Sequence, residues 1–152
     1  MTRVLLLGVG KQGRAALYDL AHSKGVTEVI AADRESEALA WHVQENRYEQ
    51  VQCVYVNADE RASLDRLMAR QPDVIVDLLP ITSIGNVAAA AVAHGIHLVN
   101  TFYVTPEVSA LADQAAEQGI TLLPEFGLDP GIDQVLLGQA VRGLDRVTGI
   151  TT

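Results

Sequence analysis

Short apolar runs alternate with helical patterns from one end of the chain to the other. The runs Val4–Leu7, Glu28–Ala32, Gln52–Val56, Val74–Leu79, His97–Asn100 and Thr121–Leu123 read as strands. The stretches between them, Gln12–Ser23, Ser36–Glu45, Glu60–Ala69, Gly85–His94 and Pro106–Glu117, read as helices. Punctuation supports this division. Gly25, Gly95 and Gly119 each follow a helical stretch and precede an apolar run, as C-terminal caps do. Thr105-Pro106-Glu107 reads as a helix start: a capping hydroxyl, a proline in the first turn, then an acid at the positive end of the dipole. Strands alternating with helices through short connections imply right-handed crossovers and a mostly parallel sheet with helices on both faces. Six strands suggest the doubly wound Rossmann order 3-2-1-4-5-6, in which a ligand crevice opens between strands one and four.

Beyond the sixth run, a helix is expected from Pro130 to about Val141. Arg146–Thr151 then looks like the start of another strand. A strand begun at the last residues is an odd end for a complete fold. Residues 1–152 are therefore expected to be one dinucleotide-binding domain, a fragment lacking a C-terminal substrate and dimerisation domain.

Composition narrows the classes. The chain is 49% apolar but only 5% aromatic, which suits buried parallel strands under Ala-rich helices. A formal charge of −8 without a basic run argues against nucleic acid or an anionic membrane as partner. Cys53 is the single cysteine, so an intrachain disulfide and a Cys-based metal cluster are excluded. Among Val51, Val54 and Val56 it reads as a small buried hydrophobe on a strand. His22, His42, His94 and His97 show no paired ligand spacing, so no metal site is expected. Trp41, on a helix, reads as packing. With no signal peptide and no membrane-length apolar run, a cytoplasmic location is expected.

The chemistry starts at Gly8-Val9-Gly10-Lys11-Gln12-Gly13. This G-x-G-x-x-G follows a strand and opens a helix, the context a dinucleotide requires. Gly8 permits the tight turn, Gly10 lets the backbone approach the pyrophosphate, and Gly13 allows close helix–strand packing. The helix N-terminus offers free N–H groups to phosphates. Asp33 lies 20 residues past Gly13, at the end of the second strand, placed for the ribose hydroxyls. Its carboxylate would repel the extra phosphate of NADP, so NAD is the expected cofactor and NADP the second. Arg34 could stack on adenine or reach a phosphate. Asp59 ends the third strand, either beside the adenine or as a cap of the next helix. Leu79 and Pro80 would line the nicotinamide side. Asp77, inside an apolar strand, must find hydrogen-bond partners and reads as structural.

The segment Pro124–Asp133 is the most distinctive. Asp129 reads as an N-cap and Pro130 as the first helical residue, at an edge where a helix N-terminus could hold a substrate carboxylate. Its run Glu125-Phe126-Gly127-Leu128-Asp129-Pro130-Gly131-Ile132-Asp133 closely resembles the saccharopine dehydrogenase family. The glycine turn, Leu79-Pro80 and Asn100-Thr101-Phe102-Tyr103 resemble its other landmarks, in the same order. Two positions depart from the saccharopine reductases, which often carry histidine where Gln134 stands and lack an acid like Asp33. The resemblance implies an oxidoreductase moving hydride between nicotinamide and an amine or imine carbon of an amino-acid-type substrate. Tyr103, Glu125 and Asp129 would then touch substrate or move protons. It also implies a longer, homodimeric protein. A non-catalytic NAD-sensing domain is the alternative, and a degenerate Rossmann domain kept for assembly the third reading.

Overall fold

The computed structural model describes residues 2–151. Six strands, β1 (Thr2–Leu7), β2 (Val26–Asp33), β3 (Val51–Tyr55), β4 (Val74–Asp77), β5 (His97–Asn100) and β6 (Leu122–Leu123), form one sheet. Its order is β3-β2-β1-β4-β5-β6 and every pairing is parallel. The helices are α1 (Lys11–His22), α2 (Ser36–Asn46), α3 (Arg61–Met68), α4 (Ile84–His94), α5 (Pro106–Ser109), α6 (Ala112–Glu117) and α7 (Ile132–Val141), with a 3-10 turn at Ile81–Ser83 before α4.

Strand alternation divides the core between the two faces of the sheet. Leu5, Leu7, Ile30, Ala32 and Ile75 join Leu64 and Leu67 of α3 and Val87, Ala88 and Ala91 of α4 in one cluster. Leu6, Val29 and Ala31 face the other way, onto Leu17 of α1 and Leu39 of α2. Small alanines let α4 lie close to the sheet, as its composition suggests. The chain reverses direction between β1 and β4, so the crevice opens at their C-terminal ends, where the glycine turn leaves β1.

Several local expectations change. The fourth strand stops at Asp77 rather than Leu79, because the Asp77 carboxylate takes the Leu79 N–H at 3.1 Å. Pro106–Glu117 is two helices, since the Leu111 N–H bonds Val108 rather than the carbonyl four residues back. Gly95 and Gly119 adopt positive φ after their helices, but Gly25 does not; α1 ends at His22 with Ser23 as its C-cap. Arg146–Thr151 forms no strand and is exposed, with no strand alongside it among the described residues. Trp41 is 74% exposed, so it is not a packing residue of the core. Cys53 lies on β3 half-buried, and burial pushes its thiol pKa up.

Candidate functional site: the cleft at the glycine turn

The turn after β1 is held by backbone packing. A Cβ on Gly13 would stand 2.0 Å from the Gly8 carbonyl oxygen, so only glycine lets α1 start this close to the strand. Gly8 has φ +83° and would carry a Cβ 2.7 Å from the Leu78 carbonyl oxygen. At Gly10 a Cβ would meet nothing, which leaves open space where a ligand's phosphates would approach. No side chain caps α1 and its first turn carries no acid. The first-turn N–H groups of α1 at the positive end of its dipole therefore keep no side-chain partner from the helix itself. This arrangement fits a pyrophosphate.

Asp33 does more than its sequence position suggests. Its Oδ2 accepts the Val9 N–H at 2.6 Å and its Oδ1 accepts the Glu35 N–H at 2.9 Å. The carboxylate thus ties the glycine turn to the end of β2 and still keeps lone pairs for a hydroxyl. Arg34 donates to Asn57 Oδ1 at 2.8 Å and forms an ion pair with Asp59. Both partners are more than half exposed, so this pair adds little stability. The capping expected of Asp59 does not occur: α3 has no side-chain cap, and Asp59 is engaged by Arg34 instead.

A cleft of about 460 Å³ gathers Gly8, Gly10, Asp33, Arg34, Asp59, Leu79 and Pro80 on one surface. Ala58, Thr82, Ser83 and Phe102, to which the sequence assigns no cofactor contact, line it as well. Thr82 and Ser83 are brought in by the 3-10 turn after Pro80, and the Pro80-Ile81-Thr82 stretch is the one signal for it. Val9 faces the opposite side of the turn, in a smaller hollow of about 200 Å³ shared with Arg14 and His42. Lys11 and Gln12 open α1 exposed and line neither hollow.

The three residues expected near substrate sit past the ends of β5 and β6. The Tyr103 hydroxyl donates to Asp129 Oδ1 at 2.9 Å. Glu125 Oε1 accepts the Val104 N–H at 3.1 Å, which brings Glu125 beside the same loop. The hydrogen bond to Asp129 raises the Tyr103 pKa most, and the charges of Asp129, Asp133 and Glu125 add to it. The phenol therefore holds its proton. Phe102, next to Tyr103 in the chain, lines the main cleft.

The corner that carries Asp129 differs from its expected form. Gly131, not Asp129, precedes α7, and no side chain caps that helix; the Asp129–Pro130 bond is cis. Gly127 and Gly131 pair as an isolated bridge, with the Ile132 N–H donating to Gly127 at 3.0 Å and the Asp133 N–H to Leu128 at 3.0 Å. The corner closes on itself first and delays the helix by two residues. That frees the Asp129 carboxylate for Tyr103. The Glu125 N–H to Phe102 and the Phe126 N–H to Asn100, at 2.9 and 3.0 Å, strap the corner to the end of β5.

Among the described residues no cluster of three or more His, Cys, Asp or Glu could hold a metal ion, and no helix is long and apolar enough to cross a membrane.

Residues 4–123 match the family model of the saccharopine dehydrogenase NADP binding domain. The chain belongs to this family. Saccharopine dehydrogenase [NADP(+), L-glutamate-forming] of Schizosaccharomyces pombe is 28% identical over 149 residues, covering 98% of this chain and 32% of that protein. Alpha-aminoadipic semialdehyde synthase of Arabidopsis thaliana is 31% identical over 150 residues, covering 88% of this chain and 14% of that protein. The solved apo saccharopine dehydrogenase (L-Glu forming) of Saccharomyces cerevisiae superposes with a TM-score of 0.82 at 26% identity, over 94% of this chain and 31% of that one. The chain thus spans about a third or less of the length of these relatives. The Rossmann class and the family read from the sequence hold. The regulatory alternative finds no support in these relatives.

Proposed function

We propose that this chain is the dinucleotide-holding domain of an oxidoreductase acting on the CH–NH group of an amino-acid-type substrate. One observation carries the reading: a single cleft collects the glycine turn, Asp33 and the Leu79–Pro80 wall, and its lining includes Phe102, the chain neighbour of the Tyr103 that pairs with Asp129. The pyrophosphate would rest on Gly8–Gly13 and the start of α1, the adenosine ribose on Asp33, and the nicotinamide along Leu79 and Pro80. When bound, the dinucleotide supplies hydride transfer. Tyr103 would present its proton, held by Asp129, to the substrate. The carboxylates of Glu125, Asp129 and Asp133 around that phenol favour a cationic amine. The remaining substrate contacts and a homodimer interface would belong to chain beyond residue 152, as the length of the relatives suggests. Nucleic acid is not part of the proposal, given the net charge of −8. We also propose a cytoplasmic location, in contrast to the bovine synthase relative, whose name carries "mitochondrial".

Two observations oppose each other on the cofactor's identity. The family model and the fungal relatives are named for NADP, and Arg34 is a cation beside the site. Asp33 favours NAD, because a carboxylate at the ribose repels a 2′-phosphate. Titration of both dinucleotides, followed by binding fluorescence, separates them. Whichever binds tighter to the native chain, Asp33→Asn is expected to shift the NADP-to-NAD affinity ratio towards NADP by about tenfold, the removal of roughly 1.4 kcal/mol of repulsion. An unchanged ratio would take Asp33 away from the ribose.

Residues 1–152 by themselves are expected to bind dinucleotide without oxidising an amino acid. In the full-length protein, Tyr103→Phe should lower turnover by about a hundredfold while dinucleotide affinity stays within about twofold. Turnover at the native rate would remove Tyr103 from the proton path. Failure of the native chain to bind either dinucleotide in calorimetry would overturn the reading as a whole.

A further inference from the structure

Asp77 is 0% exposed at the end of β4, a charged residue type where every neighbour in register is uncharged. β1 brings Leu7 level with it and β5 brings Asn100. It shares the strand face of Ile75, whose cluster draws Ile84, Val87 and Ala88 from α4. The ionisable groups of the cleft, Asp33, Arg34 and Asp59, lie beyond β1 on the adenosine side. Glu107 of α5, near the start of α4, is exposed. Among the described residues Asp77 has no cationic partner. Its Oδ1 accepts the Leu79 N–H, and its Oδ2 is buried without a hydrogen-bond partner.

An ionised carboxylate in that position would leave a charge uncompensated, whereas a protonated one leaves only a hydroxyl. Burial pushes its pKa up to about 7, with the Leu79 N–H pulling the other way. Asp77 also sits directly under the glycine turn. The Leu78 N–H donates to Leu7 at 2.8 Å, and the Leu78 carbonyl fills the space a Cβ on Gly8 would need. The Leu78–Pro80 segment is therefore clamped between Gly8 and the Asp77 carboxyl.

We propose that Asp77 is a positioning residue that fixes the Leu78–Leu79–Pro80 wall of the cleft, and that binding a dinucleotide draws a proton onto its free oxygen. The inference rests on the dinucleotide reading above. Phosphates arriving over Gly8 bring negative charge towards the buried carboxyl and favour its neutral form. By linkage, the neutral form binds better, so affinity is highest below neutrality and falls as pH rises through the range where the free protein loses this proton.

The test is the affinity for NADH and NADPH between pH 6 and 8.5, together with calorimetry at pH 7 in two buffers of different ionisation enthalpy. In the native protein affinity should fall roughly fivefold across that range, and a fraction of a proton should be taken up on binding. Asp77→Asn keeps an acceptor for the Leu79 N–H and imitates the neutral acid. It should bind at least as tightly as the native protein at pH 6, and its affinity should be flat with pH. His42 lies on the other side of the glycine turn. A slope that survives in Asp77→Asn would overturn the proposal. If Asp77→Asn does not fold, calorimetry on His42→Gln decides: proton uptake retained supports Asp77, and uptake lost overturns it. No binding of either dinucleotide by the native protein would overturn the dinucleotide reading together with this one.

Discussion

Gly13→Ala is expected to cost about 3 kcal/mol of stability, an overpacking penalty that no side-chain rotation relieves. For a chain of this length that corresponds to a fall in Tm of roughly 6–12 °C. The added methyl would lie 2.0 Å from the Gly8 carbonyl oxygen, and that oxygen belongs to a turn fixed on both sides. The Gly8 N–H donates to Ala32 and the Val9 N–H to Asp33. The turn can give way only by leaving β2 or by pushing α1 off the sheet, and either move exposes Leu17 of the core. Gly10→Ala is the informative control. Its methyl meets nothing in the protein, and φ of −71° suits alanine. Thermal melting should leave Gly10→Ala within about 2 °C of the native chain. Dinucleotide affinity should nevertheless fall by about tenfold or more, since the methyl fills the approach to the pyrophosphate. Equal effects of the two substitutions on Tm would show that the turn is not held as described.

Gly131→Ala should abolish the corner that carries Asp129 while sparing the sheet. Gly131 has φ +144°, and a Cβ there would lie 2.2 Å from the Gly127 carbonyl oxygen and 2.7 Å from its nitrogen. The bridge between Gly127 and Gly131 cannot then close. The corner contributes few residues to either core cluster, so Tm should move by only about 2 °C. Asp129 lies within that corner and Tyr103 on the loop after β5, so their 2.9 Å contact depends on the corner's shape. Turnover of the full-length protein should fall by about a hundredfold with dinucleotide affinity retained, the expected result of displacing a reacting group by an ångström. Hydrogen exchange offers a readout independent of activity. The amides of Gly127, Ile132 and Asp133, which donate within the corner, should lose protection while those of β1 keep theirs. Native turnover, or native protection at these amides, would show that the corner's shape does not place the pair.

Much of this architecture is legible along the chain because it depends on short-range regularities. Each strand is a brief run rich in apolar residues, with residues 4–7 of β1 and 29–32 of β2 buried on both faces, so all six are visible as runs, and their parallel order follows from the helices between them. The glycine turn is legible for a similar reason. Its spacing records where a backbone approaches another backbone, and the structure places the Gly8–Gly13 contact where the motif requires it. The failures are residues whose partners are remote in sequence. Asp129 and Pro130 have the local chemistry of a helix start, yet bridging between Gly127 and Gly131 delays α7 and gives Asp129 to Tyr103. Asp59 has the local chemistry of a cap, yet Arg34, 25 residues earlier, occupies it.

The sequence by itself determined the strand order, the turn at Gly8–Gly13 and the family, because periodicity and glycine spacing are properties of neighbouring residues. Only the tertiary structure decided how the polar groups are used. It set the Asp33 carboxylate across the glycine turn, closed the corner that holds Asp129 against Tyr103, and left one oxygen of Asp77 buried without a partner. Hydrogen bonding and desolvation depend on which atoms surround a group in space, and a strand position in the sequence does not specify those atoms.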